Sequence, residues 1–246
     1  MANWNEPRRD SELGIQPGFG RQGGVATTVD AGLRRHMLSI YNYMSSGILL
    51  SGIVALLAWN SGFAVTIFST PLRWVVGLAP LAVVFAMSFG QSRFSTGTLR
   101  ALFWAFAVLM GLSLSSIFAV YSGASIAATF FATAGAFAGL SLFGYTTKKD
   151  LSAFGTFLIM GVFGLIIAMV ANMFIKSEGL AMAIPFLGVL IFAGLTAFDT
   201  QKLKNQYFAI PAEYAGKAVV LGALTLYLDF INMFMFLLRF MGSSRN

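Results

Sequence analysis

Seven apolar stretches of membrane-spanning length, separated by short polar breaks, constrain this chain more than any other feature. They run over residues 37–59, 72–89, 99–121, 126–145, 151–174, 180–198 and 218–240. A helix needs about 20 apolar residues to cross the hydrocarbon core of a bilayer. Backbone polar groups have no water to bond there, so such segments must satisfy themselves as helices. The expected fold is therefore an all-α membrane protein, a seven-transmembrane-helix bundle. Composition agrees, since charged residues are 10% of the chain, apolar ones 57%, and mean hydropathy is +0.78. A soluble domain carries about 25% charged residues.

Several function classes fall away early. There are no cysteines and one histidine, His36, so thiol catalysis, disulfides and His- or Cys-rich zinc sites are excluded. No Ser-His-Asp, zinc-helix or phosphate-loop pattern is present. The net charge of +7 does not point to nucleic acid, because the basic residues sit in short breaks beside apolar spans. That is how membrane orientation is encoded.

Residues 1–35 are polar and rich in Gly and charge, and are expected to form a disordered cytoplasmic tail; residues 36–246 form the transmembrane domain. No apolar core with a small-residue cleavage site comes early, as a signal peptide would need. With the N-terminus inside, Arg34, Arg35, Arg93, Arg100, Lys148, Lys149, Lys202, Lys204 and Lys217 share the cytoplasmic side with the tail arginines. Arg73, Lys176, Arg239 and Arg245 fall opposite. The bias favours a cytoplasmic N-terminus and an odd number of crossings. Small residues recur within the spans, as Gly135 with Gly139, Gly161 with Gly164, and Gly47 with Ser51. They are expected to serve close helix packing, since in lipid helices associate through near backbone approach.

Of nine acidic residues, most lie in the tail or in loops, and Asp199 and Asp229 do not. Asp229 lies about 11 residues, roughly 16 Å, into the last stretch. Thr225 and Asn232 are four before and three after it, so the three share one helix face. A carboxylate at that depth costs at least about 2.5–3.5 kcal/mol on insertion scales, and intramembrane acids are functional by default. Asp199 closes the sixth stretch, with Thr196 one turn earlier. Lys202, three residues on, allows a simple interfacial ion pair. The two acids flank one loop, so antiparallel helices permit them to meet without requiring it.

These residues resemble a known family. The run Leu224-Thr-Leu-Tyr-Leu-Asp229-Phe-Ile-Asn-Met-Phe, with Leu237-Leu-Arg239 after it, looks like the last helix of the Bax inhibitor-1 family. Phe198-Asp199-Thr-Gln-Lys202 and Gly144-Tyr-Thr-Thr-Lys-Lys-Asp150-Leu-Ser152 support the likeness, which covers the chain from about residue 35. The resemblance implies a bundle whose last helix is central and is surrounded by the other six. It implies a pH-sensitive calcium leak channel gated by an aspartate pair, here Asp199 and Asp229, which would also be the cation-binding positions. In a bacterial relative an arginine near the end of the second helix pairs with the first aspartate, and Arg93 is the nearest candidate here. The polar tail and the break before the last stretch resemble the bacterial branch, which implies a bacterial inner membrane.

The chemistry of such a pair does not depend on the family. Two carboxylates a few ångströms apart cannot both ionise cheaply and share a proton. Losing it drives the helices apart or draws in a cation. Calcium takes several oxygen ligands, so two acids make a weak transit site rather than a storage cage. Neither a cofactor nor an enzymatic role is expected: an intramembrane aspartyl protease would need Gly-x-Gly before its acid, where this chain has Leu226-Tyr227-Leu228. An alternative implied by bacterial relatives is a regulator of a membrane-anchored protease, acting through the tail or loops.

Overall fold

The structure is a computed structural model that describes residues 21–243, with side chains from residue 31 onward. Among the described residues the chain is helical almost throughout. The elements are α1 (Arg21–Asn60), α2 (Phe63–Ser69), α3 (Leu72–Gly90), α4 (Thr96–Leu114), α5 (Ile117–Val120), α6 (Gly123–Thr146), α7 (Ser152–Ile175), α8 (Glu178–Gln206) and α9 (Ala215–Met241). A single 3-10 turn, Ala212–Tyr214, precedes α9. Seven segments are long and apolar enough to cross a membrane, with α4 and α5 together forming one of them. Phe131, Phe157, Phe163, Met173 and Phe174 point away from the bundle, as lipid-facing side chains do. The protein is a multi-span membrane protein.

Serine caps begin three of the helices. The hydroxyls of Ser95, Ser122 and Ser177 accept the N–H groups of Thr98 (3.1 Å), Ser125 (3.2 Å) and Leu180 (3.4 Å). Each satisfies a donor that the first helical turn leaves orphaned, a contribution of about 1 kcal/mol. These caps start α4, α6 and α8 sharply, which fixes the short breaks.

The last helix is the axis of the bundle. Its span is 67% buried, against 11–39% for the other six. α1, α4, α6 and α8 pack directly along it, while α3 packs chiefly on α4 and α7 on α8. The resemblance implied six surrounding helices; four carry the direct contact and two form an outer layer. Tyr227 lies edge-on to Phe106 and Phe103, with centroids 4.9 and 6.3 Å away, and Phe230 packs on Phe130 and Phe137. At the far end of α9, the Ser243 N–H donates to Ser125 Oγ (2.9 Å) and the Ser122 N–H to Ser243 O (3.2 Å). That docks the end of α9 on the start of α6. His36, near the start of the first span, lies instead against Tyr207, at the opposite end of the bundle. The described chain thus crosses an odd number of times.

Three expectations need correction. Residues 21–35 are helical rather than disordered. The reason is visible at Leu33, Met37 and Ile40, which continue the buried stripe of α1 at helical spacing. Residues 1–20 of the expected tail, and Arg245, lie outside the described residues. Second, α8 continues to Gln206, two turns past residue 198. Lys202 and Lys204 lower hydropathy there, but both are good helix formers. Third, Gly135 and Gly139 have open space around them, as does Gly164. They are not packing positions within this chain, whereas Gly47 lies beneath the Phe103 ring and Gly161 beside Ile191.

Candidate functional site

The longer α8 resolves how the two acids meet. Asp199 lies two turns inside the helix end, and the antiparallel α9 brings Asp229 alongside. Their carboxyl groups face each other within hydrogen-bonding reach. Asp199 and Asp229 are 8% and 5% exposed, so the pair is enclosed by the bundle. Asp229 Oδ2 is buried and has no hydrogen-bond partner among the described residues. An acceptor facing an acceptor lacks a donor until one carboxyl carries a proton. Two charges at about 4 Å repel by roughly 4 kcal/mol at an effective dielectric of 20. The geometry therefore suits one shared proton.

The supporting polar residues do not supply that donor. Thr225 and Thr196 donate to the backbone oxygens of Leu221 (3.2 Å) and Phe192 (2.8 Å), and the Asn232 amide to Leu228 O (2.8 Å). Each bond closes on its own helix one turn back. Thr225 still lines the approach to the pair; Thr196 and Asn232 do not.

That approach is a cavity of about 500 Å³ between the ends of α3, α8 and α9 and the 207–214 connection. Asp199, Lys202, Tyr214, Lys217 and Thr225 are among its walls. Asp229 is not, and sits behind Asp199. Beyond Asp229 the buried side chains of α9 are Phe230, Ile231, Met233, Phe234, Phe236 and Leu238. The polar approach thus ends at the pair, and an apolar plug follows.

The cation beside Asp199 is Lys202, with Nζ 3.9 Å from Oδ1. Lys202 is on the same helix, three residues on, the ion pair that spacing allowed. Arg93 makes no ion pair among the described residues and does not line the approach. The α3–α4 connection offers Gln91 and Ser92 there instead, and Gln91 O accepts from Lys217 Nζ at 3.2 Å. The basic group placed beside Asp199 is thus Lys202 and not Arg93.

The two quoted motifs away from α9 touch each other, which sequence reasoning did not anticipate. A Cβ at Gly144 would collide with the backbone oxygen of Ala197, so α6 and α8 are in backbone contact. The Thr200 hydroxyl donates to Ser141 Oγ (3.3 Å). The Gln201 amide donates to Lys149 O (2.8 Å) and accepts from the Leu151 N–H (2.9 Å). Lys204 Nζ donates to Tyr145 O (2.7 Å). The segment carrying Asp199 is thereby clamped to α6 and to the 147–151 connection, with its acid turned toward α9. Gln201 and Ser141 were missed as site residues; the buried amide within a charged helix end was the only signal for the first.

Among the described residues, no group of three or more His, Cys, Asp or Glu could hold a metal ion. The paired carboxylates thus fall short of the several oxygen ligands that a calcium cage requires.

Comparison with known proteins agrees with the motif reading. A family profile described as "Inhibitor of apoptosis-promoting Bax1" matches residues 33–246. The chain is 46% identical to the inner membrane protein YbhL of Escherichia coli, over 87% of this chain and 94% of that protein. It is 47% identical to a Caulobacter vibrioides protein over 89% and 92% of the two chains. A Rickettsia prowazekii protein is 42% identical over 89% and 94%. From this coverage, and from the paired acids on its two last spans, the chain belongs to the Bax inhibitor-1 family.

Proposed function

We propose that this protein is a pH-sensitive leak channel for cations, calcium first among them, gated by the proton shared between Asp199 and Asp229. The observation that carries this reading is the contact of the two carboxyls at the closed end of a polar approach, with an apolar plug beyond them. While the proton is shared, α8 and α9 are tied together. When it leaves, two adjacent negative charges in a low-dielectric interior must separate or admit a cation. Lys202 compensates one charge but not two. Separation of α8 from α9 would open the plug along the central helix.

In this reading the N-terminus is cytoplasmic, the approach opens to the cytoplasm of a bacterial cell, and the protein is a conduit that needs neither catalysis nor a cofactor. The distribution of Lys and Arg supports that orientation. The test is calcium entry into liposomes loaded with a calcium-sensitive dye. Protein-containing vesicles should leak faster than empty ones, and Asp229→Asn should change the leak. Equal leak from all three preparations would rule the reading out.

A further inference from the structure

α1 and α6 both pack on α9 but scarcely on each other. The gap between them is a lateral cavity of about 790 Å³, larger than the approach to the acids. Its walls are almost wholly apolar: Met37, Leu38 and Ile48 on one side, Phe130, Ala134 and Ala138 on the other. Phe137 and Phe230 form its floor.

The two walls run antiparallel, from Arg34 to Leu49 on α1 and from Tyr145 to Phe130 on α6. Each covers 16 residues, a rise of about 22 Å from end to end at 1.5 Å per residue. One leaflet contributes about half of the roughly 30 Å hydrocarbon core, so the cleft is deep enough to take an acyl chain along its length. Its polar end is cationic. Arg34 lines that end, and Lys204 lies over the Tyr145 ring, 5.5 Å from its centroid, while bonded to Tyr145 O. Neither cation pairs with a carboxylate among the described residues.

An apolar slot with Arg34 at its polar end and Lys204 held against the Tyr145 wall residue, neither facing a carboxylate among the described residues, suits an anionic amphiphile, and we infer that the α1–α6 cleft is a binding site for an anionic phospholipid. The acyl chain lies between α1 and α6, and the headgroup phosphate meets Arg34 and Lys204. Basic residues at the membrane surface attract anionic headgroups in this way. The occupant would touch residues adjoining both acids. Phe230 follows Asp229, and Ser141, on the cleft wall, accepts from Thr200, which follows Asp199.

The experiment is native mass spectrometry of the detergent-purified full chain titrated with phosphatidylglycerol or phosphatidylcholine of the same acyl chains. Wild type should retain phosphatidylglycerol at several-fold lower concentration than phosphatidylcholine. Arg34→Gln should bring the two lipids close together. Ala138→Phe, and independently Ser45→Phe, should lower retention of both lipids several-fold in variants whose melting temperature matches wild type. Equal retention of the two lipids by wild type overturns the assignment. So does undiminished retention by both filled variants, or loss of a dimer on filling with lipid binding unchanged. The readout is lipid bound rather than ion flux, so it stands or falls apart from the channel reading.

Discussion

Tyr227 of α9 and Ser51 of α1 share a 2.6 Å hydrogen bond in the middle of the bundle. Ser51 also reaches Ala107 O on α4 at 2.6 Å and Gly47 O at 3.0 Å. One hydroxyl pair thus ties the central helix to two of its neighbours, two residues from Asp229. Both side chains are almost fully buried, so the bond has no water to replace it. Tyr227→Phe keeps the ring contacts with Phe103 and Phe106 and removes only the hydroxyl. It should cost about 1 kcal/mol, read as a lowered unfolding midpoint in detergent. Tyr227→Ala should cost about 3–5 kcal/mol through the cavity it leaves.

The glycines divide into two groups that sequence alone does not separate. At Gly144 a methyl group would strike the backbone of α8, which cannot rotate away. Gly144→Ala should destabilise by about 1–3 kcal/mol, the range for overpacking. Gly139 has nothing within 4 Å, and there alanine gains up to about 1 kcal/mol of helix propensity. Gly139→Ala should therefore be neutral or mildly stabilising. Thermal unfolding of the two variants in parallel checks the contrast.

Much of this architecture was legible beforehand, and the gaps have physical causes. The seven spans follow from hydropathy, because lipid leaves a chain few alternatives. Asp229 stands out because a carboxylate within an apolar run is costly. The depth of Asp199 was hidden, since Lys202 and Lys204 lower hydropathy without ending the helix. Resemblance named Arg93 as the nearest candidate, while helical spacing allowed the ion pair that Lys202 makes with Asp199. Ser51 was noticed only as a small residue, because a serine's distant partners cannot be inferred from spacing. Gly135 and Gly139 show the converse: a packing pattern marks a smooth helix face without saying what lies against it.

Gln201 holds the connection between α6 and α7 with two hydrogen bonds. Gln201→Ala removes both and leaves Lys149 O and the Leu151 N–H to find water. The loss should be about 1–3 kcal/mol and should be local. Hydrogen exchange should accelerate at residues 149–152 while the middle of α9 stays protected.

Asp150 serves as a control acid. It is fully exposed, accepts the Ser152 N–H at 2.9 Å, and is held below its ordinary value of 3.8 mainly by its bonds to Ser152. A carboxyl lowered in the fold stabilises fully above 3.8 and loses that contribution only as pH falls through its folded value. It therefore stays charged across the neutral range. Asp150→Asn should leave the pH profile of calcium flux unchanged between about pH 5 and 8.

The most direct test of the central claim is calcium flux in liposomes over a pH series for wild type, Asp199→Asn and Asp229→Asn. Asparagine keeps the size of the side chain and removes its proton exchange. Wild-type flux should change with pH as the pair gives up its shared proton, and both variants should show flat profiles. Variants that retain the wild-type pH dependence would contradict the account.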